Sequence, residues 1–93
     1  KSPDYGKNNF WINILRFNEK KISRKKLFNI FKKKNIEIRP VWDPIHLLKP
    51  YRKYERFEIY KATKLLNSSI CLPSSSNLKI KDLNRIVKVV NNL

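Results

Sequence analysis

The sequence predicts an α+β fold in which a small sheet of about three strands has helices packed on one face. Short apolar segments bounded by polar or proline-containing stretches predict strands at residues 9–17, 36–39 and 70–72. Apolar residues at helical spacing predict helices at residues 23–34, 57–67 and 80–91. The resulting order is β-α-β-loop-α-β-α, and a chain of 93 residues is long enough for one such domain.

The first strand and the first helix are each indicated by their local sequence. Residues 9–17 carry apolar side chains at both odd and even positions, which predicts a strand covered on both sides. Ser23 is placed to cap the first helix, whose apolar stripe is built around Leu27 and Phe31. Arg24 and lysines cover the rest of that helix. This side is a candidate anion-binding surface, and we interpret it as a solvated helix back. Asn35 is suited to the left-handed position after the helix.

The remaining elements are separated by one long connection. Pro40 is expected to end the second strand because proline has no N–H to donate to a ladder. Residues 40–55 are rich in proline and aromatic residues, a composition typical of an ordered loop that carries function. Pro73 closes the third strand. The last helix has apolar residues at i, i+3, i+4 and i+7, the most regular amphipathic pattern in the chain: Leu83, Ile86, Val87 and Val90.

The formal net charge of +15 has two explanations. A strongly basic chain is typical of proteins that bind nucleic acid or anionic membranes. However, lysine, asparagine and isoleucine are all abundant here and all have AT-rich codons, so genome composition accounts for much of the lysine. The basic residues are also spread over the whole chain without an arginine-rich tract. We therefore expect neither a nucleic-acid partner nor a membrane.

Self-contained catalytic chemistry is not expected from these residues. The chain has one histidine and one cysteine, so paired-histidine and disulfide sites are excluded, and Cys71 is expected to be a small buried apolar residue. The seven acidic residues are scattered, and Gly6 stands alone, without a phosphate-binding glycine loop. No apolar run is long enough to cross a bilayer. We expect a cytoplasmic fragment with no catalytic, cofactor-binding or metal-binding residue of its own.

Several motifs in order resemble the C-terminal region of the DegT/DnrJ/EryC1/StrS family of aminotransferases. The resemblance covers residues 9–91 and rests on four segments: Lys26-Leu27, Asn35-Ile36 with Arg39-Pro40, Pro44-Ile45-His46-Leu47 with Pro50-Tyr51-Arg52, and Ile70-Cys71-Leu72-Pro73. Family members are pyridoxal-phosphate enzymes that aminate nucleotide-linked keto sugars. The resemblance implies that residues 9–93 are the small C-terminal domain of a fold-type-I aminotransferase and that residues 1–8 are a linker from a large domain.

The same resemblance implies partners for the full-length enzyme. These are pyridoxal phosphate, bound mainly by the large domain, a nucleotide-linked sugar, an amino donor (glutamate being the expected one), and a second subunit in a homodimer. The product would enter surface-polysaccharide or glycan synthesis. An apolar face is expected to be exposed where the large domain would pack. The alternatives are a basic nucleic-acid-binding or regulatory module and a purely structural domain.

Four residues are the expected substrate contacts, and each has a structural alternative: His46, Arg39, Trp42 and Tyr51. By the resemblance, His46 contacts the substrate without transferring a proton. Alternatively, its ring nitrogens are hydrogen-bonded within a packed loop. Arg39 offers a planar donor fork for phosphate or carboxylate, or an ion pair with an acid such as Asp43. Trp42 could stack on a ring or pack in a core or interface. Tyr51, with Arg52, could contact substrate or the partner subunit.

Overall fold

A computed structural model describes residues 3–93 as three strands and three helices. Two single-turn 3-10 helices, Ile45–Leu47 and Lys49–Tyr51, lie in the long connection. The main elements in chain order are β1 (Asn13–Arg16), α1 (Arg24–Lys33), β2 (Arg39–Pro40), α2 (Tyr60–Asn67), β3 (Ser69–Leu72) and α3 (Ile80–Asn91). The predicted α+β class and the predicted order of elements are confirmed.

The last strand lies in the middle of the sheet. Its order is β1-β3-β2, and both pairings are antiparallel. In the β1–β3 pair, Leu15 lies opposite Ile70. In the β2–β3 pair, Arg39 lies opposite Cys71. Because successive side chains on a strand alternate, Ile70 and Cys71 point to opposite faces of the sheet.

The core lies on the face of the sheet to which Ile70 points. Ile70 is fully buried, as are Leu27 and Phe31 from α1. The rest of the buried cluster is Ile36, Ile38 and, from α3, Ile86. Half-buried residues extend the cluster at its edges: Leu15, Phe17, Ile22, Phe28, Leu72, Val89 and Val90.

Helix α1 begins and ends where its local signals predict. The Ser23 hydroxyl accepts a hydrogen bond from the Lys26 N–H at 3.3 Å, which satisfies one of the free donors of the first turn. After the helix, Asn35 has a φ of 52°, the left-handed conformation that asparagine tolerates well. This turn lets the Ile36 N–H donate to the Phe31 carbonyl at 3.0 Å, so the chain re-enters the core at once.

Two predicted strands differ from the structure. β1 is shorter than residues 9–17, and Ile14 and Arg16 on one of its faces are exposed, so the strand is covered on one side. β2 lies at Arg39–Pro40 instead of at residues 36–39. Pro40 is accommodated in the ladder because β2 is an edge strand, where a missing N–H breaks no inner bond.

The helices of the second half differ in how closely they match the prediction. α2 begins at Tyr60, not near residue 57, because Glu58 has a φ of 46° and cannot continue a right-handed helix. α3 has the predicted bounds, and Ile86 on its stripe is buried. Leu83 and Val87 on the same stripe remain exposed. Within residues 3–93, no helix has the length and apolar character of a membrane span.

The predicted linker at residues 1–8 includes residues 1 and 2, which lie outside the described part of the chain. Further along it, the Gly6 N–H donates to the Pro3 carbonyl at 3.1 Å, so residues 3–6 form a turn.

Candidate functional site

The connection between β2 and α2 is ordered by its own hydrogen bonds. The Leu47 N–H donates to the Pro44 carbonyl at 2.8 Å, closing the first 3-10 turn. The Arg52 side chain then reaches back, and its Nε donates to the Leu47 carbonyl at 2.9 Å. The Arg52 side chain therefore stabilises the conformation of the loop. The sequence predicts for Arg52 a contact with substrate or with the partner subunit, and it does not indicate this contact within the loop.

Arg39 lies at the sheet edge with its guanidinium open to solvent. Its Nη2 lies 2.9 Å from Glu37 Oε1, and its Nε donates to the same oxygen at 3.0 Å. The expected ion pair therefore exists, but with Glu37 and not with Asp43, because residues two apart in extended chain project to the same side. The Arg39 side chain is 77% exposed, so this pair leaves donors of its planar fork free for a ligand.

Two tryptophans from distant parts of the chain meet beside Arg39. The rings of Trp11 and Trp42 lie 6.2 Å apart between centroids and are tilted by 40°. Trp11 is 71% exposed and Trp42 is 68% exposed, so neither is a core residue. A tilted pair at this distance is a favourable aromatic contact, and the outer faces of both rings remain available.

Arg39 and the tryptophan pair border an open groove of about 640 Å³. It is lined by Cys71 and Leu72 of β3, by the segment that follows β3, and by the first half of α3. Cys71 is thus half-buried in the groove and not the fully buried residue expected. The polar and aromatic residues that line the groove are Trp11, Asn35, Glu37, Arg39, Trp42, Ser74, Ser75, Asp82 and Arg85.

The four predicted substrate contacts do not all lie together. Arg39 and Trp42 border the groove, whereas His46 and Tyr51 are not among its lining residues. His46 lies half-buried in the first 3-10 turn. Tyr51 instead packs against Tyr54, with ring centroids 6.5 Å apart. The sequence-predicted set is therefore divided between the groove and the loop beyond it.

Some groove residues were missed at the sequence level. The sequence predicts a strand at Trp11 and only a turn at Ser74 and Ser75. Arg85 was not singled out, although its Nη2 donates to the Lys34 carbonyl at 2.8 Å and its Nη1 lies 3.8 Å from Asp82 Oδ1. The missing information was the strand order, since the central position of β3 is what places its following turn between Trp11 and Arg39.

The groove does not fit pyridoxal phosphate as a resident cofactor. Covalent attachment of that cofactor needs a lysine, and none lines the groove. Among residues 3–93, no group of three or more histidine, cysteine or acidic side chains is placed to hold a metal ion. The arrangement is that of a binding surface with an arginine fork, indole faces and serine hydroxyls.

Comparison with known proteins agrees with the motifs. The model of the DegT/DnrJ/EryC1/StrS aminotransferase family matches residues 1–91. The chain belongs to this family. It is also 30% identical over 97 residues to a Bacillus subtilis (strain 168) protein named "Putative pyridoxal phosphate-dependent aminotransferase EpsN". That match covers 98% of the chain, which spans only 25% of the length of this relative.

Proposed function

We propose that this chain is the small C-terminal domain of a cytoplasmic pyridoxal-phosphate-dependent aminotransferase that aminates a nucleotide-linked keto sugar. Glutamate would be the amino donor, and the product would serve surface-polysaccharide or glycan synthesis. Membership of the aminotransferase family supports the reaction class. Bound cofactor would supply the amino-transfer chemistry. The groove has no lysine to hold it, and we assign its binding to the large domain that the family resemblance implies.

The observation that carries the substrate proposal is the placing of Arg39 beside the Trp11–Trp42 pair. A diphosphate linking a nucleoside to a sugar needs positive donors, and an arginine fork binds phosphate oxygens in pairs. A nucleobase or a sugar ring needs a flat apolar surface, which an exposed indole offers. Arg39 and Trp42 are only three positions apart and border one groove. The groove would therefore form one wall of the substrate pocket, binding and orienting the nucleotide-linked part.

His46 belongs to a second part of this proposal. It is half-buried on the 3-10 turn that follows Trp42 and lies outside the groove lining. We assign it a contact with the sugar end of the substrate, and Tyr51 a supporting position on the same loop. Neither residue is assigned a proton transfer.

Steady-state kinetics of the full-length enzyme tests the groove. We expect Arg39→Gln to raise KM for the nucleotide-linked sugar about tenfold with kcat within twofold, because one charge-assisted contact to phosphate is worth about 1.5–3 kcal/mol. Arg39→Lys should recover only part of this loss, since lysine has no planar fork. Arg56→Gln is the matched control, because Arg56 is an exposed arginine that does not line the groove.

Three results would contradict the proposal. An unchanged KM in Arg39→Gln would remove the phosphate contact. An unchanged keto-sugar reaction in His46→Ala would assign His46 to packing. Absence of bound pyridoxal phosphate, measured by absorbance of the purified full-length protein, would remove the aminotransferase activity itself.

One observation favours a purely structural domain as the second candidate. The exposed indoles are also what a surface buried against another domain would present. The two functions differ in the effect of Trp42→Ala. Loss of the Trp11–Trp42 contact lowers the melting temperature in both cases, but a substrate role also raises KM for the nucleotide-linked sugar, whereas a purely structural role leaves KM unchanged.

A further inference from the structure

Folding concentrates part of the lysine content on one side of α1. Leu27 and Phe31 are fully buried, and they fix which side of the helix faces the core. At 3.6 residues per turn, the opposite side is centred on Asn29. Four exposed lysines flank that position, and we call them the basic face: Lys25, Lys26, Lys32 and Lys33.

The charges of the basic face are not neutralised within the described chain. No acidic residue occurs between Glu19 and Glu37. The side-chain ion pairs within residues 3–93 join Glu37 to Arg39 and Asp82 to Arg85, so none involves the basic face. The first turn of α1 also has no acidic residue, although the positive end of the helix dipole favours acids there. Lys32 and Lys33 lie in the last turn, where cations suit the negative end of the helix dipole, whereas Lys25 and Lys26 lie in the first turn, where they do not. The stability of the helix therefore does not account for the basic face as a whole.

The basic face is also not suited to packing against protein. None of its four lysines is buried, and the apolar residues of α1 are turned away from it: Leu27, Phe28, Ile30 and Phe31 are buried or half-buried. Covering four ammonium groups with another domain would remove their hydration without a partner to replace it. The face therefore stays exposed unless its partner is itself strongly anionic.

We propose that the basic face docks on the phosphate backbones of double-stranded DNA. Lys25 and Lys32 lie on one flank of the Asn29 ridge, and Lys26 and Lys33 lie on the other. On each flank, the two lysines are about 10 Å apart along the helix axis, because seven residues rise about 1.5 Å each. A convex helix with cations on both flanks matches the major groove, which admits an α-helix between two phosphate chains. This proposal departs from the expectation drawn from the sequence, in which the charge is dispersed, the lysines of α1 are solvated and no nucleic-acid partner is expected.

Three other anionic surfaces fit the basic face less well. Single strands are bound with aromatic side chains that stack on bases, and the helix has no aromatic residue on this side. Interfacial membrane helices insert exposed apolar residues, which α1 also lacks on this side. Duplex RNA has a major groove too narrow and deep for a helix. The basic face has lysines and no arginine, which indicates contacts to phosphate groups and not to base edges. Its affinity should therefore not depend on the DNA sequence.

Fluorescence anisotropy of the full-length protein with a labelled 30-base-pair DNA duplex tests the proposal between 50 and 200 mM KCl. Four phosphate contacts should give a slope of log affinity against log salt of about −3.6. We expect the quadruple variant K25Q/K26Q/K32Q/K33Q to lose at least tenfold in affinity at 100 mM KCl and most of that slope. Glutamine is a good helix former, so α1 should persist, which circular dichroism checks.

The matched control removes the same charge from other exposed lysines: K61Q/K64Q/K81Q/K88Q. It should change DNA affinity by less than threefold. Equal losses of DNA affinity in both variants would overturn the proposal and would show that net charge alone drives binding. The absence of DNA binding by the unmodified protein would also overturn the proposal. Tighter binding to vesicles with 30% phosphatidylserine, or to an RNA duplex, would overturn it in favour of those partners. Keto-sugar amination should be unchanged in both variants, which separates this test from that of the groove.

Discussion

The outer side of α1 and the groove beside β3 are both exposed, yet their compositions are opposite. The basic face has lysines around a central asparagine and no exposed apolar residue. The groove rim has two largely exposed indoles, one exposed arginine held by Glu37, and serines from the turn after β3. A surface of the first kind is stable only in water or against anions. A surface of the second kind is stabilised when a ring or another apolar surface covers it, because apolar area is then removed from water.

Helix α3 shows the same contrast within one element. Ile86 is buried, and Val89 and Val90 are half-buried against the core. On the next part of its circumference, Ile80, Leu83 and Val87 stay exposed. These residues have the spacing i, i+3 and i+7, which lines up along one side of a helix. An exposed apolar face is expected from the sequence. Exposed apolar residues lie on α3 and at the groove rim, and also elsewhere in the described chain, as at Phe10, Ile45 and Phe57.

The largest expected effect separates the two sides of α1. Phe31→Ala should lower the free energy of unfolding by about 3–5 kcal/mol, because Phe31 is fully buried and the vacated space cannot fill. Lys33→Ala, two positions away on the basic face, should change it by less than about 0.5 kcal/mol. Urea unfolding followed by circular dichroism measures both. A loss above about 1 kcal/mol for Lys33→Ala would show that the basic face serves the fold.

An intermediate effect is expected at the groove rim. A double-mutant cycle of Trp11→Ala and Trp42→Ala should give a coupling free energy of about 0.5–1.5 kcal/mol, since the rings make direct contact. The same cycle with Tyr5→Ala in place of Trp11→Ala serves as control, because Tyr5 is almost fully exposed. If the changes in unfolding free energy caused by the two tryptophan substitutions are additive, the two rings are not in contact in solution.

The smallest expected effect concerns the ion pair of the rim. Glu37→Gln should change the free energy of unfolding by less than about 1 kcal/mol, because both side chains of the Glu37–Arg39 pair are about three-quarters exposed. In the full-length enzyme, the same substitution should lower KM for the nucleotide-linked sugar, since the guanidinium then has no competing carboxylate. A raised KM would show that Glu37 orients Arg39 for its ligand.

Local signals predicted the helices better than the sheet edge or the groove. The cap at Ser23, the left-handed turn at Asn35 and the bounds of α3 each depend on neighbouring residues, so the sequence displays them directly. The position of β2 depends on pairing with a strand some thirty residues later. The groove needs Trp11, Arg39 and Ser74 together, and only the strand order brings them there. Its aromatic pair was therefore not predictable from periodicity.

The central place of β3 also sets the order in which the domain can assemble during translation. Asn13 of β1 pairs with Leu72, and Arg39 of β2 pairs with Cys71. Neither edge strand can therefore pair until the ribosome has synthesised β3. At about 5–20 residues per second, the ribosome needs several seconds to extend the chain from β1 to β3. During that interval Leu27 and Phe31 have no Ile70 to cover them, and the nascent domain exposes apolar surface that a chaperone would recognise.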